Sequence, residues 1–357
     1  MYVKQIIIKN IGGIESLEIN PSFTDEGKPR PVVIVGENGR GKTLLLSNIM
    51  DSFYEISSSL FDNISKINNL SRRFYKINES INLKEGSKSG FTLIKYKSSK
   101  TKSHIEYIDY INCNANEIKD ICSLLLQTKI GKKITEFTNN EIEKLRREWL
   151  TQAHYYQPAY RYEEPFRENS NFNSGFKDEI DYREQYSKEL EIITSLNKNH
   201  SYIMNILDTT PYTDKKDDTW EAINTILREV KQNKNLRFRI VTRNSNAQIG
   251  IYENNRLLLS NINQLSLGEL LLLNLFTNIV RHTDLSGKPI ELLEGIVVID
   301  KIDAHLHDNL QSKILPRLIK LFPKIQFIVT SHSSLFVLGM EREFGNNGFD
   351  LIEMSNR

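Results

Sequence analysis

With 357 residues the chain has room for one large domain or two ordinary ones, at roughly 100–200 residues per domain. Hydrophobic residues at 39%, charged residues at 26% and a formal charge of +2 suit a globular protein and exclude a bulk electrostatic pull on nucleic acid, leaving only local basic patches to provide one. Cys113 and Cys122 are too few for a disulfide framework and fit a reducing cytoplasm, and the longest apolar runs fall far short of the roughly 20 residues that span a bilayer.

The first residues, Met1 to Ile8, lack the basic-then-apolar pattern of a signal peptide, so a soluble, cytoplasmic protein is expected. Tyr2 to Lys9 is a β-branched run that predicts a strand, Gly12-Gly13 a turn, and Glu15 to Asn20 a second, alternating strand. After a proline-containing loop, Val32 to Val35 is a continuous apolar run, which predicts a buried parallel strand. Gly36 to Gly41 is a glycine-rich loop, and Leu45, Ile49 and Phe53 carry helical spacing over 43–60. Residues 61–90 are polar. Phe91 to Lys97 and Ser103 to Ile111 predict a hairpin. Residues 116–150 predict a helix broken near Gly131, and 176–207 and 218–232 predict two more, separated by a turn containing Pro211. Leu236 to Thr242 and Gln248 to Tyr252 predict strands, and a helix starts near Gly268. Gly295 to Ile299 and Ile325 to Val329 are two further buried strands, with a helix over 304–320 between them. No heptad pattern persists, so no coiled-coil arm is expected. The expected class is α/β: a nucleotide-binding core of residues 1–60 and 236–357, split by a mainly helical insertion, 61–235, with a β-hairpin near 91–111.

Chemistry concentrates in a few segments. Gly36-Glu37-Asn38-Gly39-Arg40-Gly41-Lys42-Thr43 has the spacing of a phosphate-binding loop between a strand and a helix. Its glycines let backbone N–H groups turn toward phosphates, the helix N-terminus favours the same anion, Lys42 reaches the outer phosphates, and Thr43 offers a hydroxyl to Mg²⁺. Leu265-Ser266-Leu267-Gly268-Glu269 opens an apolar helix, where Ser266 also suits a plain N-cap. The strand ending at Asp300 carries a carboxylate placed to hold Mg²⁺ through its water shell. The next residue, Lys301, is an ammonium and cannot serve as a base. Asp303-Ala304-His305-Leu306-His307 lacks the cysteine or acidic companions of a metal site, and reads as a loop leading into a helix. His332, after a buried strand, can sense a phosphate by hydrogen bonding. Tyr155 to Pro165 is a polar aromatic segment. In it, Gln157 is either a glutamine that approaches Mg²⁺ or part of a packed aromatic loop.

Together these residues resemble the ABC-type P-loop ATPases of the SMC, RecF and OLD group. Ile8-Lys9-Asn10-Ile11-Gly12-Gly13-Ile14 is similar to that group's first strands, and Asp300 to His307 and Thr330 to Ser333 look like its OLD-like branch. Tyr155 to Pro165 and Leu335 to Gly345 look like PtuA-type ATPases of phage-defence systems such as Septu and some retrons. The resemblance implies ATP and Mg²⁺ as cofactors, a homodimer or higher homo-oligomer closed around ATP, and Ser266 and Gly268 contacting the γ-phosphate held by the other subunit. It also implies an effector, a nuclease or toxin, acting in trans under a nucleotide-gated sensor or scaffold in anti-phage defence, with no membrane partner. The alternative is a RecF- or SMC-like repair ATPase that binds DNA through lysines such as Lys95, Lys97, Lys100 and Lys102.

Two departures stand out. The family places a glutamate where this chain has Lys301, which predicts tight ATP binding with slow or absent hydrolysis. Lys301 is then a natural switch residue, an introduced substitution that blocks turnover, or a site where Asp303 or Glu269 assists. The second departure is that no Toprim-like acidic set follows His332, so nuclease activity is expected from a separate protein or from sequence beyond Arg357.

Overall fold

Strands that are apolar on both faces must be covered on both faces, and the centre of this protein is built that way. The computed structural model describes residues 1–61, 83–98, 104–113, 118–126, 128–159, 196–209, 218–243 and 246–354. Strands β3 (Val32–Gly36), β7 (Ala153–Gln157), β11 (Gly295–Ile299), β12 (Ile325–Thr330) and β13 (Asp350–Met354) form one parallel sheet in the order β13-β3-β12-β11-β7. Side chains alternate across it. Val33, Tyr155, Val297, Ile299, Phe327 and Val329 enter one core, while Val32, Ile34, Tyr156, Ile296, Val298 and Ile328 enter the other.

The second core is closed by helix α1 (Lys42–Leu60) and an antiparallel sheet, so α1 lies between the two sheets. That sheet has the order β2-β1-β4-β5-β6, from β1 (Tyr2–Ile11), β2 (Ile14–Ile19), β4 (Gly90–Lys97), β5 (His104–Ile111) and β6 (Ile130–Ile134). Helix α2 (Asn139–Thr151) follows, started by a capping box between Thr138 and Glu141. The first core is closed by α3 (Leu196–Thr209), α4 (Asp218–Lys231) and α5 (Leu267–His282). The three-stranded antiparallel sheet of β8 (Leu236–Arg243), β9 (Asn246–Glu253) and β10 (Arg256–Leu259) buries Leu236, Phe238, Ile249 and Ile251 in that core. Helices α6 (Leu315–Lys320) and α7 (Ser334–Phe344) complete the described elements. Among the described residues no helix is long and apolar enough to cross a membrane. Cys113 and Cys122 are both buried and free.

Several expectations change. The hairpin is present but is not set apart in an insertion: β4 pairs with β1 along its length, and β7, from inside the same 61–235 stretch, is the edge of the parallel sheet. Cross-strand hydrogen bonding has drawn both into the core. Of the helix expected over 116–150, the described residues are helical at Ile118 and over 139–151, whereas Ile130–Ile134 instead extends β5 as an antiparallel edge strand. The helix expected from 304 begins later, running through a π-helical turn at Leu310–Ile314 into α6, and Pro316, which has no N–H to donate, follows directly on that interruption of the helical ladder. Residues 176–195 and Pro211 lie outside the described residues.

A buried charge group fastens α1 to the antiparallel sheet. Lys132 Nζ on β6 lies 3.5 Å from Asp51 of α1 and 3.9 Å from Asp109 of β5. Burial pushes the Asp109 carboxyl up to about 7, against the pull of Lys132, and the acids Asp51 and Glu55 push it further. A carboxyl raised on folding contributes stability that is complete below its unfolded value near 3.8 and lost as pH rises through about 7. Melting temperature is therefore expected to fall between pH 4 and 7, and Asp109→Asn to flatten that fall by on the order of 1–3 kcal/mol. Parallel melting curves of both proteins across this range check it; an unaltered slope in the variant rejects it.

Candidate functional site

Because the central sheet is parallel, the segments that follow its strands emerge along one edge, where such folds hold ligands. The loop after β3, Gln157 at the end of β7, Asp300 after β11 and His332 after β12 all belong to that edge.

The loop begins at Gly36 and enters α1 at Lys42. Gly36, Gly39 and Gly41 all have positive φ. At Gly41, φ is +85° and an added Cβ would lie 2.7 Å from Ile14 Cγ1, so both the turn and the packing on β2 need glycine. Glu37, Asn38 and Gly39 are exposed, and Arg40 pairs with Glu37. Lys42 is 6% exposed and donates to the carbonyls of Gly36 at 2.7 Å and Glu37 at 2.8 Å, folding its ammonium across the loop mouth. Burial holds its pKa below the ordinary value, with Asp300 pulling upward and Lys301 downward.

Thr43 and Asp300 meet although 257 positions apart. The threonine hydroxyl donates to Asp300 Oδ2 at 2.7 Å. Thr330, the last residue of β12, donates to Asp300 Oδ1 at 2.5 Å and accepts the Lys301 N–H at 2.7 Å. Asp300 is thus 1% exposed with both oxygens oriented. Its own N–H donates to the carbonyl of Gln157 at 2.8 Å. The Gln157 side chain is buried and accepts from Tyr155. Sequence reasoning named Thr330 and Tyr155 within their segments but gave neither a role. Thr330 stands at the head of the Thr-Ser-His-Ser run, and that position at a strand end was its available signal.

Lys301 is exposed, with φ +48°. A left-handed residue there turns the chain sharply away from β11, at a cost of about 1 kcal/mol or more for a residue with a Cβ. His332 is also exposed, and its backbone N–H lies 3.4 Å from Asp303 Oδ1. Desolvation first and the Lys42 charge second hold its imidazole below the ordinary value, while Asp303 pulls upward.

Ser266 and Gly268 stand apart from this cluster. Ser266 caps α5 in a reciprocal box with Glu269, donating its N–H to Glu269 Oε2 at 3.0 Å and accepting the Glu269 N–H at 3.4 Å. Lys231 pairs with Glu269 at 2.9 Å. An added Cβ at Gly268 would lie 2.7 Å from Leu310 Cδ1, so α5 packs closely there. Ser266 is exposed, and among the described residues no hydrogen bond links it or Gly268 to residues 36–43. Tyr160 to Pro165 of the aromatic segment, and Lys100 and Lys102, lie outside the described residues. Lys95 lies 3.6 Å from Glu106 on β5.

The donor set fits the cofactors expected of it. Thr43 and Asp300 present only oxygen atoms, which suits a hard divalent cation such as Mg²⁺. The left-handed glycines and a lysine ammonium at one loop mouth suit a polyphosphate. Among the described residues no group of three or more histidine, cysteine or carboxylate side chains could hold a metal.

Residues 32–338 match the family model described as "AAA domain, putative AbiEii toxin, Type IV TA system". The chain is 24% identical over 374 aligned positions to "Retron Vc95 probable ATPase" of Vibrio cholerae, covering 90% of this chain and 69% of that one. It is 51% identical over 73 residues to "Retron Ec83 probable ATPase" of Escherichia coli, covering 20% of this chain and 14% of that protein. Over 47 residues it is 55% identical to "Septu protein PtuA" of Bacillus mycoides, covering 13% of this chain and 7% of that protein. Among solved structures it is similar to an SmcHead bound to the C-winged helix domain of ScpA, with TM-score 0.49, 14% identity and coverage of 95% and 92% of the two chains. The SMC head domain from Thermotoga maritima gives 0.46, 15%, and the same coverage. With TM-scores under 0.5, the family match rather than these structures carries the assignment.

Proposed function

Since the chain belongs to this AAA-domain family, and is an ABC-type P-loop ATPase with retron and Septu relatives, we propose that it binds ATP with Mg²⁺ at residues 36–43 and that two copies close around the nucleotide to control a separate effector in anti-phage defence. The observation that carries this reading is the 2.7 Å bond from Thr43 to Asp300, which sets the hydroxyl of the loop beside the carboxylate of the acidic strand.

Each residue has a chemical task. Lys42 turns its ammonium from the carbonyls of Gly36 and Glu37 to the outer phosphates. Thr43 and Asp300 would hold the cation, which when bound would screen phosphate charge, and Thr330 keeps Asp300 oriented. Gln157, at the end of β7, would supply a further oxygen to it. His332, kept mainly neutral by desolvation and by Lys42, can either donate to or accept from a phosphate group. Lys301 has no acceptor to offer an attacking water, so the bound state is long-lived and the protein works as a switch.

The tip of α5 supports a second copy because, among the described residues, it bonds to no part of the loop in its own chain. Ser266 is exposed, and its hydrogen bonds stay within one turn. Ser266→Arg is expected to leave ATP affinity within about threefold while abolishing ATP-dependent dimerisation, because a bulky cation at a helix N-terminus both clashes and opposes the dipole. Sedimentation velocity with and without ATP reads this directly. A variant that dimerises as the wild type does would remove Ser266 from the interface. The effector is proposed to be a nuclease or toxin encoded nearby. Its ATP-dependent capture by the full chain, lost in a variant that cannot bind nucleotide, is the test of the defence role; capture regardless of ATP would reject gating.

A further inference from the structure

Helix α5 is apolar and buried along most of its length, yet it carries Asn274, Asn278 and Arg281 at spacings of four and three, on one face. Burying amides inside a leucine-rich helix is unfavourable unless they are hydrogen-bonded. Asn278 is bonded through both ends of its amide, in a chain that leads to the candidate site, whereas Asn274 accepts from Asn199 and its own Nδ2 has no partner among the described residues. Arg281 Nη2 donates to Asn278 Oδ1 at 3.1 Å. Asn278 Nδ2 donates to the Tyr155 hydroxyl at 3.0 Å. Tyr155 in turn donates to Gln157 Oε1. On the other side, Arg281 Nε donates to Asn199 Oδ1 at 3.3 Å, and Asn199 Nδ2 returns to Asn274 on α5 at 3.1 Å to the backbone carbonyl.

The direction of this chain is fixed by chemistry. A guanidinium has donors only, so Arg281 must meet the oxygen of Asn278. That leaves the Asn278 amide nitrogen for Tyr155, so the tyrosine oxygen accepts and its single proton must go onward. The onward partner is therefore the oxygen of Gln157, not its nitrogen. An arginine at the far end of α5 thus dictates which way the Gln157 amide faces.

We propose that Arg281, Asn278 and Tyr155 are positioning residues that hold the Gln157 amide oxygen in register for the cation and bind β7 to α5, so that Gln157 and the Ser266 tip shift as one body when nucleotide enters. The proposal rests on the nucleotide site described above. Tyr155 and Asn278 reach the site through the bond to Gln157. An amide oxygen has two lone pairs, so Gln157 can keep its bond from Tyr155 while turning the other lone pair to a ligand.

The test uses the full chain and ATP, with affinity measured in Mg²⁺ and in EDTA. Tyr155→Phe removes one hydroxyl and keeps the ring. It is expected to reduce the Mg²⁺-dependent gain in ATP affinity about five- to tenfold, while affinity in EDTA stays within about twofold. Gln157→Ala is expected to lose at least as much, and adding Tyr155→Phe to it to change nothing further, since the two side chains act in series. Hydrogen exchange supplies a readout independent of affinity: ATP-induced protection at residues 267–270 is expected in the wild type and diminished in Tyr155→Phe. Asn278→Leu should match Tyr155→Phe; if it does not fold, Tyr155→Phe alone decides. Wild-type binding with an undiminished Mg²⁺ gain in Tyr155→Phe, or additive effects with Gln157→Ala, overturns the relay and leaves the site standing. Failure of the wild type to bind ATP overturns both.

Discussion

Lys42→Ala is expected to weaken ATP binding by on the order of 100-fold, because it removes the charge-assisted contacts that a partly desolvated ammonium makes with phosphate oxygens. Lys42 as a residue is 6% exposed and its ammonium bonds the carbonyls of Gly36 and Glu37, so its field at the loop mouth is less screened than that of a surface lysine. Removing it also frees two carbonyls, but both belong to a loop open to solvent, and stability should fall by no more than about 1–2 kcal/mol. Calorimetric titration with ATP, beside a melting curve of each protein, separates loss of binding from loss of fold. Unchanged affinity in a folded variant would end the reading of residues 36–43 as the phosphate cradle. In cells, the same substitution is expected to abolish phage restriction if the defence role holds.

Lys301→Glu is expected to raise steady-state phosphate release by about 100-fold or more, since a positioned general base contributes 10²–10⁴. The backbone is already set for the exchange: the position has φ +48°, and glutamate meets the same backbone cost there as lysine. The swap also replaces a cation that depresses Lys42 with an anion, so the Lys42 ammonium becomes easier to keep charged. ATP affinity should change only a few-fold, because Thr43, Asp300 and Thr330 hold one another without the Lys301 side chain. Equal turnover in both proteins would show that Lys301 is not what limits the site.

The parts of the fold that were legible are those whose signal is local. Val32 to Val35 and Gly295 to Ile299 are continuous apolar runs, and Ile325 to Val329 is broken only by Gln326; a run apolar on both faces has only the centre of a covered sheet to occupy. Strand β7 was not legible. His154, Tyr155, Tyr156 and Gln157 read as polar, and their complete burial depends on distant groups: His154 packs edge-on against Phe53 of α1 at 5.7 Å, and Tyr155 bonds Asn278. Strand β6, with Lys132 and Lys133, read as part of a broken helix, because the acids that neutralise Lys132 arrive from α1 and β5.

The candidate site divides along the same line. A glycine loop between an apolar strand and a helix needs only neighbouring residues to specify it, because positive φ and a following helix are backbone properties written into a short segment. So the sequence alone singled out residues 36–43, Asp300 and His332 as candidates, and marked Lys301 as an ammonium that cannot act as a base; Ser266, singled out with them, bonds only within the cap of α5. Which carboxylate oxygen Thr43 bonds, that Thr330 holds the other, and which way Gln157 faces were decided only by tertiary structure. Each depends on hydrogen bonds between strands and helices far apart in the chain, and their direction is set by partners that no local pattern names.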